Sequence, residues 1–266
     1  MSAIATLLWD SPAAGTLPVG IAGWWLEDLE AVATTQALAR GRPAWSAVVA
    51  REQTGGRGQG VRSFVSDRGG LYLTAVLPYA GDALKARGFA LSVGWALRET
   101  LRRAGVRGLR LRWPNDLMLG DLKVGGILVE QGGPDTLLVG IGLNVVNRPW
   151  EQDPKLQGIA GRLADGIASS RLPSRRRMVE LVLRAIRAAH QEFSSHELRG
   201  FAPVLNRCWG RSRRVRLDLV GDVSDAGWAS GWFDGIDPEG RVKLHDARGR
   251  PSVVPAHRIA RLWEEI

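Results

Sequence analysis

Gln53-Thr54-Gly55-Gly56-Arg57-Gly58-Gln59-Gly60-Val61-Arg62 is the stretch that decides the reading of this chain. Its glycines bend where side chains would clash and let backbone N–H groups approach an anion closely. Arg57 and Arg62 add planar, permanently charged forks suited to carboxylate or phosphate. The loop lies between an apolar run, Trp45–Ala50, and a strand-like run, Leu71–Leu77. It is not a Walker loop, because no Gly-Lys-Ser/Thr follows. It is not a dinucleotide fingerprint either, because it leads toward a strand and not into a helix. By itself it reads equally as a mobile surface loop.

Three further segments bear on the choice. Arg110–Leu119 reads as a strand broken at Pro114, which sets Asn115 and Asp116 at a turn beside a strand end. An ordinary Asx-turn is the alternative. Next comes Leu122-Lys123-Val124-Gly125-Gly126-Ile127-Leu128-Val129-Glu130. Of 36 basic residues in the chain only four are lysine, so Lys123 ahead of a buried-looking strand draws notice. Its compact ammonium suits a small acid or a phosphate, although a solvated hairpin lysine fits the same text. Last, Leu137–Val145 is an apolar strand holding Gly140, Gly142 and Asn144. Such glycines permit close approach of a ligand, while Asn144 needs a partner if buried and otherwise reads as a strand-end turn residue.

Taken together and in this order, the segments resemble the catalytic domain of biotin protein ligases. That family shows a Gln-x-x-Gly-Arg-Gly loop, a Lys-Trp-Pro-Asn-Asp box, a Lys-x-x-Gly-Ile-Leu-x-Glu strand and a Gly-x-Gly-x-Asn strand. The matching text here is Gln53–Gly58, Arg112–Asp116, Lys123–Glu130 and Gly140–Asn144. The resemblance implies a two-step ligation. ATP and biotin give biotinyl-5′-AMP and diphosphate, and a lysine of a biotin carboxyl carrier protein then attacks the mixed anhydride. It also implies roles. Thr34, Gln53, Gly56, Arg57, Lys123 and Gly126 would meet biotin. Arg57, Gln59, Arg62, Asn115, Lys123 and Asn144 would meet the nucleotide. Arg57, Lys123 and Asp116 would act in catalysis, with Asp116 also holding Mg²⁺. The chemistry is consistent, since two anions must be brought to bonding distance and fixed cations offset their repulsion. A closing loop would keep water from the anhydride.

Two departures from the family pattern stand out. Gln59 occupies a position where the family carries an arginine, which predicts faster escape of the activated intermediate or compensation by Arg62. The family's Ser-Thr-Asn reads Ala33-Thr34-Thr35 here, so only Thr34 carries over.

Composition agrees with a globular chain: 266 residues, 45% hydrophobic and 24% charged. One cysteine, Cys208, excludes an internal disulfide, and a thioester role for it beside Trp209 is remote from the glycine boxes. The start lacks a secretory signal and no apolar run is long enough to span a bilayer, so a cytoplasmic location without membrane partners is expected. The net charge of +9 admits nucleic acid, but the arginines are spread along the chain. A solvated basic face that attracts an acidic carrier domain is the expectation, with no specific DNA binding.

Periodicity predicts an α+β fold whose mixed, largely antiparallel sheet is flanked by helices. By resemblance it is class II synthetase-like. Helices are expected over Val32–Ala39, Ala83–Ala104 (face Leu84, Leu91, Trp95, Leu101) and Arg175–Phe193, the last capped by Ser174. Trp150–Ala164 is irregular and would order around adenine. From Trp209 the period switches to two, with turns at Gly221-Asp222, Asp237–Gly240 and Arg248–Pro251. This resembles the SH3-like C-terminal barrel of biotin ligases, giving domains 1–207 and 208–266. The stretch before Trp24 is too short for a helix-turn-helix domain, so a monofunctional ligase, monomer or homodimer, is expected. Lipoate or octanoate ligases and transferases of the same superfamily, or a non-catalytic biotin sensor, are the rivals.

Overall fold

The structure is a computed structural model that describes residues 9, 19–60, 62–79, 88–209, 213–220 and 227–265. The start of the expected 83–104 helix, the Gly221-Asp222 turn and most of residues 1–20 lie outside these. Two compact units divide the chain, Met1–His190 and Gln191–Ile266. The division falls within the last helix, whereas the expected boundary of 207/208 falls near that helix's end.

The first unit is built on eight strands: β1 Val19–Ile21, β2 Trp24–Val32, β3 Ser46–Gln53, β4 Gly70–Pro78, β5 Leu109–Arg112, β6 Asp116–Leu119, β7 Leu122–Gly133 and β8 Thr136–Asn144. They form one sheet in the order β1-β2-β3-β4-β8-β7-β6-β5. Only β2 and β3 pair in parallel, so the expected mixed and largely antiparallel sheet is what forms. The helix α1, Thr35–Ala39, supplies the β2–β3 crossover. It begins later than the expected Val32, because β2 keeps its ladder to Gln53. Thr34 instead caps α1, its Oγ1 accepting from the Gln36 N–H at 3.3 Å.

The central strands β3 and β4 are buried almost end to end, consistent with cover on both sides. On one face Ala39 of α1 packs with Val48, Val76 and Leu138. Strand register places Thr74, Val76, Leu138, Gly140, Gly142, Leu128 and Gly126 on this same face. Helix α2, Phe89–Arg103, lies on the other, where a Cβ at Gly94 would meet Leu111 at 3.0 Å and Ile127 at 3.5 Å. Val93, Leu97 and Leu101 carry its buried stripe. Trp95, expected on that stripe, is only half-buried and lies beneath the Arg98 guanidinium. The Trp150–Ala164 stretch holds a short helix, α3 Pro149–Gln152, and 3₁₀ turns.

Helix α4 runs Arg175–Trp209 and is broken at Glu197, where φ is 51°. Of the apolar stripe that helical spacing marks, Met178, Val182, Ala185 and Ala189 are buried and Leu181 is only half-buried, and the Ser174 Oγ accepts from the Arg177 N–H at 3.4 Å. The second unit carries five antiparallel strands, β9 Arg213–Leu219, β10 Trp228–Ile236, β11 Val242–His245, β12 Pro251–Val254 and β13 Ile259–Glu264, in the order β12-β11-β10-β9-β13. Val215, Leu217, Phe233, Val242, Leu244 and Leu262 are buried in it; of the residues the alternation in Arg214–Leu219 marks, Val215 and Leu217 are buried and Leu219 is half-buried. This second sheet fits an SH3-like domain. Among the described residues no helix is long and apolar enough to cross a membrane.

Candidate active site

On the α1 face the sheet loses its side chains where three glycines cluster. Gly126 pairs with Gly142, and Gly140 follows two residues along β8. The gap they leave is a pocket of about 710 Å³, open solvent at its mouth included. Thr34, Gln53, Arg57, Gln59, Arg62, Asn115, Asp116, Lys123 and Gly126 all line it. Nine of the eleven expected site residues therefore meet around one cavity, although they come from four separate stretches of chain.

One end of the pocket is neutral and polar. A Cβ at Gly140 would lie 2.7 Å from the Gln36 Oε1. The Thr74 hydroxyl donates to that same oxygen at 3.0 Å and contacts the Thr35 hydroxyl at 2.9 Å. The Gln53 Oε1 accepts from the Thr35 backbone N–H at 2.8 Å, and its Nε2 donates to the Ser66 Oγ at 2.9 Å. Gln53 thus ties the start of α1 to the far end of the glycine loop. Thr35, Gln36 and Thr74 were not foreseen. The signal for Thr35 and Gln36 was the run of polar residues at a helix start, read only at Thr34, while Thr74 sits within β4.

The other end is cationic. The Lys123 Nζ would lie 3.5 Å from a Cβ at Gly126, on the Gly142 level of the sheet. Two residues of antiparallel strand separate this level from Gly140, about 6.8 Å. The Lys123 ammonium sits 2.6 Å from the Asp116 Oδ1, and the Arg112 guanidinium lies 2.7 Å from Oδ2. Burial is the largest influence on the Asp116 carboxyl and pushes its pKa up. Lys123 and Arg112 outweigh it together, so the net shift is below the usual carboxylate value. Arg112 joins Thr35, Gln36 and Thr74 as a residue to which the sequence pattern gave no role.

The local backbone holds these groups by hydrogen bonds. The Lys123 N–H donates to the Ile159 carbonyl at 2.8 Å, and the Lys123 carbonyl accepts from the Gly161 N–H at 2.9 Å. The Asn115 Nδ2 donates to the Ile127 carbonyl at 2.7 Å, while the Ile127 N–H donates to the Asn115 carbonyl at 2.9 Å. The turn after Pro114 is thereby pinned to β7. The glycine loop is a hydrogen-bonded hairpin: Gly58 N–H to Arg62 O at 2.7 Å, Phe64 N–H to Gly56 O at 2.9 Å and Gln53 N–H to Ser66 O at 2.9 Å. Within it, Arg57 lies 3.3 Å from Glu130.

Two expected residues are not in the lining. Gly56 is a packing glycine, because a Cβ there would come 2.2 Å from the Phe64 carbonyl oxygen. Asn144 is 3% exposed, and its Nδ2 donates to the Gly161 carbonyl at 3.0 Å. Its side chain therefore supports the strap that brackets Lys123. Asp116 does not fit a metal ligand, since both of its oxygens are engaged by cations. Among the described residues no group of three or more His, Cys, Asp or Glu could hold a metal ion.

Residues 34–145 match the Biotin/lipoate A/B protein ligase family. A biotin–[acetyl-CoA-carboxylase] ligase of Paracoccus denitrificans is 31% identical over 230 residues, covering 81% of this chain and 89% of that one. The chain belongs to this family. Every residue expected at the site, from Thr34 to Asn144, falls inside the matched segment. The bifunctional ligase/repressor BirA of Escherichia coli is 33% identical over 208 residues, 74% of this chain. The chain spans 61% of that relative's length. In three dimensions, the biotin protein ligase of Aquifex aeolicus, solved with biotin and ATP, covers 90% of this chain and 99% of its own, with a TM-score of 0.76 at 25% identity.

Proposed function

We propose that this chain is an ATP-dependent ligase that forms biotinyl-5′-AMP and passes biotin to a lysine of a biotin carboxyl carrier protein. The observation that carries the reading is the polarity of the pocket. A neutral hydrogen-bonding end at Gly140 and a cationic end at Gly126 lie on one apolar, glycine-floored face. Biotin has the matching form, with a cyclic urea, an apolar chain and a carboxylate. Lipoate belongs to the same family's chemistry, but its dithiolane would leave the polar end unmet, and buried polar groups left unpaired discriminate strongly.

In the first step a biotin carboxylate oxygen attacks the α-phosphorus of ATP, and the bond to diphosphate breaks. Lys123 and Arg57 lower the repulsion between the two anions. To do so each leaves a carboxylate of the protein, Asp116 or Glu130. Arg112 stays on Asp116, so a released Lys123 does not strand a buried charge. The open floor at Gly126 admits the chain of biotin. Gln59, Arg62 and Asn115 face the nucleotide from the loop and the β5–β6 turn. Mg²⁺, when bound, neutralises phosphate charge, and it would be carried by the triphosphate itself.

In the second step the carrier amine attacks the acyl carbon, AMP leaves, and an amide forms. The net charge of +9 favours encounter with an acidic carrier. Cytoplasmic location, action as monomer or homodimer, a catalytic domain over 1–207 and the absence of specific DNA binding complete the proposal. Incubation with labelled biotin, ATP, Mg²⁺ and a carrier domain tests it. Label on the carrier lysine, not competed by lipoate, is expected; preference for lipoate or octanoate, or binding without turnover, would refute it.

A further inference from the structure

We infer that Gln36 reads the urea of the substrate, its Nε2 donating to the ureido carbonyl oxygen. This inference rests on the ligase reading and assigns a specificity residue to it. Gln36 lines the pocket yet is only 3% exposed. Its Oε1 is held by the Thr74 hydroxyl at 3.0 Å. In this arrangement the Nε2 is left without a partner among the described residues. A buried donor without an acceptor is unfavourable, so its retention points to an acceptor that arrives with a ligand.

The neighbouring groups narrow the choice. Gln53, which the sequence pattern nominates for this end, has both ends of its amide committed, to Thr35 and to Ser66. The Thr34 hydroxyl caps α1. The Thr35 hydroxyl is shared between Thr74 and Gln53. Gln36 Nε2 is therefore the donor in this cluster with no partner among the described residues. Gly140 keeps the space beside it open, since a Cβ there would fall 2.7 Å from the Gln36 Oε1. The acceptor must be neutral, because the cations gather about two residues farther along β8. It must also be strong enough to replace water for a buried amide. A urea carbonyl meets both requirements, and a dithiolane or an alkyl chain meets neither.

The test is an exchange of hydrogen-bond polarity. Biotin, desthiobiotin and 2-iminobiotin are titrated against the full chain and against Gln36→Glu and Gln36→Met. In 2-iminobiotin a cyclic guanidinium places N–H where biotin has its carbonyl oxygen. Wild type is expected to prefer biotin over 2-iminobiotin. Gln36→Glu, which turns the donor into an acceptor, should move that preference at least tenfold toward 2-iminobiotin. Gln36→Met should weaken biotin and desthiobiotin alike by tenfold or more, since both keep the urea, and it remains informative if the charged variant fails to fold. Unchanged binding of all three ligands by a folded variant would overturn the assignment and leave the ligase reading intact. Failure of wild type to bind any of the urea ligands would overturn the ligase reading itself.

Discussion

The Lys123 ammonium lies 2.6 Å from the Asp116 Oδ1, so the cation proposed to meet the substrate carboxylate rests on a carboxylate of the protein. The arrangement keeps the ammonium aimed at the open Gly126 floor and removes the need for a bound anion to hold it there. Arg112 on the second oxygen makes the exchange tolerable, because Asp116 keeps one partner when Lys123 turns to a ligand.

Asp116 should make stability depend on acidity. Its folded pKa lies below the ordinary 3.8, so in acid the unfolded chain binds the proton first. The stabilisation is then complete above the unfolded value and is lost as pH falls through the folded one. Urea unfolding should show Asp116→Asn weaker than wild type by about 2–3 kcal/mol at neutral pH, below the figure for fully buried pairs because Lys123 is partly exposed. The gap should hold down to about pH 5 and close below about pH 4. A gap that stays constant to pH 3 would exclude this account.

Lys123→Met should abolish activation with little change in folding. Diphosphate release should fall by a factor on the order of 10²–10³, the usual loss when one fixed charge is removed from a developing anion. The melting temperature should move little, since Arg112 still neutralises Asp116. A variant that releases diphosphate at the wild-type rate would remove Lys123 from the chemistry.

Gly56 and Gly60 should respond differently to alanine. A Cβ at Gly56 would come 2.2 Å from the Phe64 carbonyl oxygen, which is backbone and cannot rotate away. Gly56→Ala should therefore distort the hairpin that carries Arg57 and Gln59 and eliminate adenylate formation. At Gly60 nothing lies within 4 Å, and only the φ of +64° opposes a side chain. Gly60→Ala should cost about 1 kcal/mol and keep most activity. Equal activities in the two variants would count against the steric explanation.

Gln59→Arg should lengthen the residence of the adenylate. Gln59 lines the pocket and is uncharged, whereas the same place on the loop would let a guanidinium meet the phosphate of bound biotinyl-5′-AMP. Chase of preloaded enzyme with unlabelled biotin should show slower loss of label than in wild type. An unaltered off-rate would mean that Arg62 already supplies the needed charge.

Asn144→Ala should act on both substrates at once. The Asn144 amide supports the Gly161 carbonyl, and the Gly161 N–H bonds the Lys123 carbonyl. Loss of the amide should destabilise the fold by about 1–3 kcal/mol, the cost of an unpaired buried acceptor. The KM values for biotin and ATP should rise together. A rise for ATP alone would indicate direct contact with the nucleotide.

Much of the site was legible because its chemistry demands particular residues. Only arginine and lysine neutralise paired anions, and only glycine leaves the face of a strand empty, so Arg57, Lys123, Gly126, Gly140 and Gly142 stand out in the linear text. Gln36, Thr35 and Thr74 do not, because hydroxyls and amides are ordinary in any helix start or strand. Their importance arises from register: Thr74 pairs with Gly140 on β4 and β8, and α1 delivers Gln36 to the same spot. Gly56 and Asn144 also make contacts inside the protein, with the Phe64 carbonyl against any Cβ at Gly56 and the Asn144 amide on Gly161, which the linear pattern conceals. Trp95 was assigned to the apolar face on helical spacing alone, whereas the buried stripe follows Val93, Leu97 and Leu101 against the sheet.

By itself, then, the amino-acid order determined the elements, the family and the kind of charge at the site, since periodicity and residue chemistry are local properties carried by each segment. Tertiary structure alone decided which atoms remain free to meet a ligand. The two ends of Gln53 are consumed by partners 18 and 13 residues away and both oxygens of Asp116 by Arg112 and Lys123 on neighbouring strands, while the Gln36 Nε2 has no partner among the described residues. Whether a donor or an acceptor is satisfied depends on what the fold brings within 3 Å or so of it, and no local pattern encodes that distance.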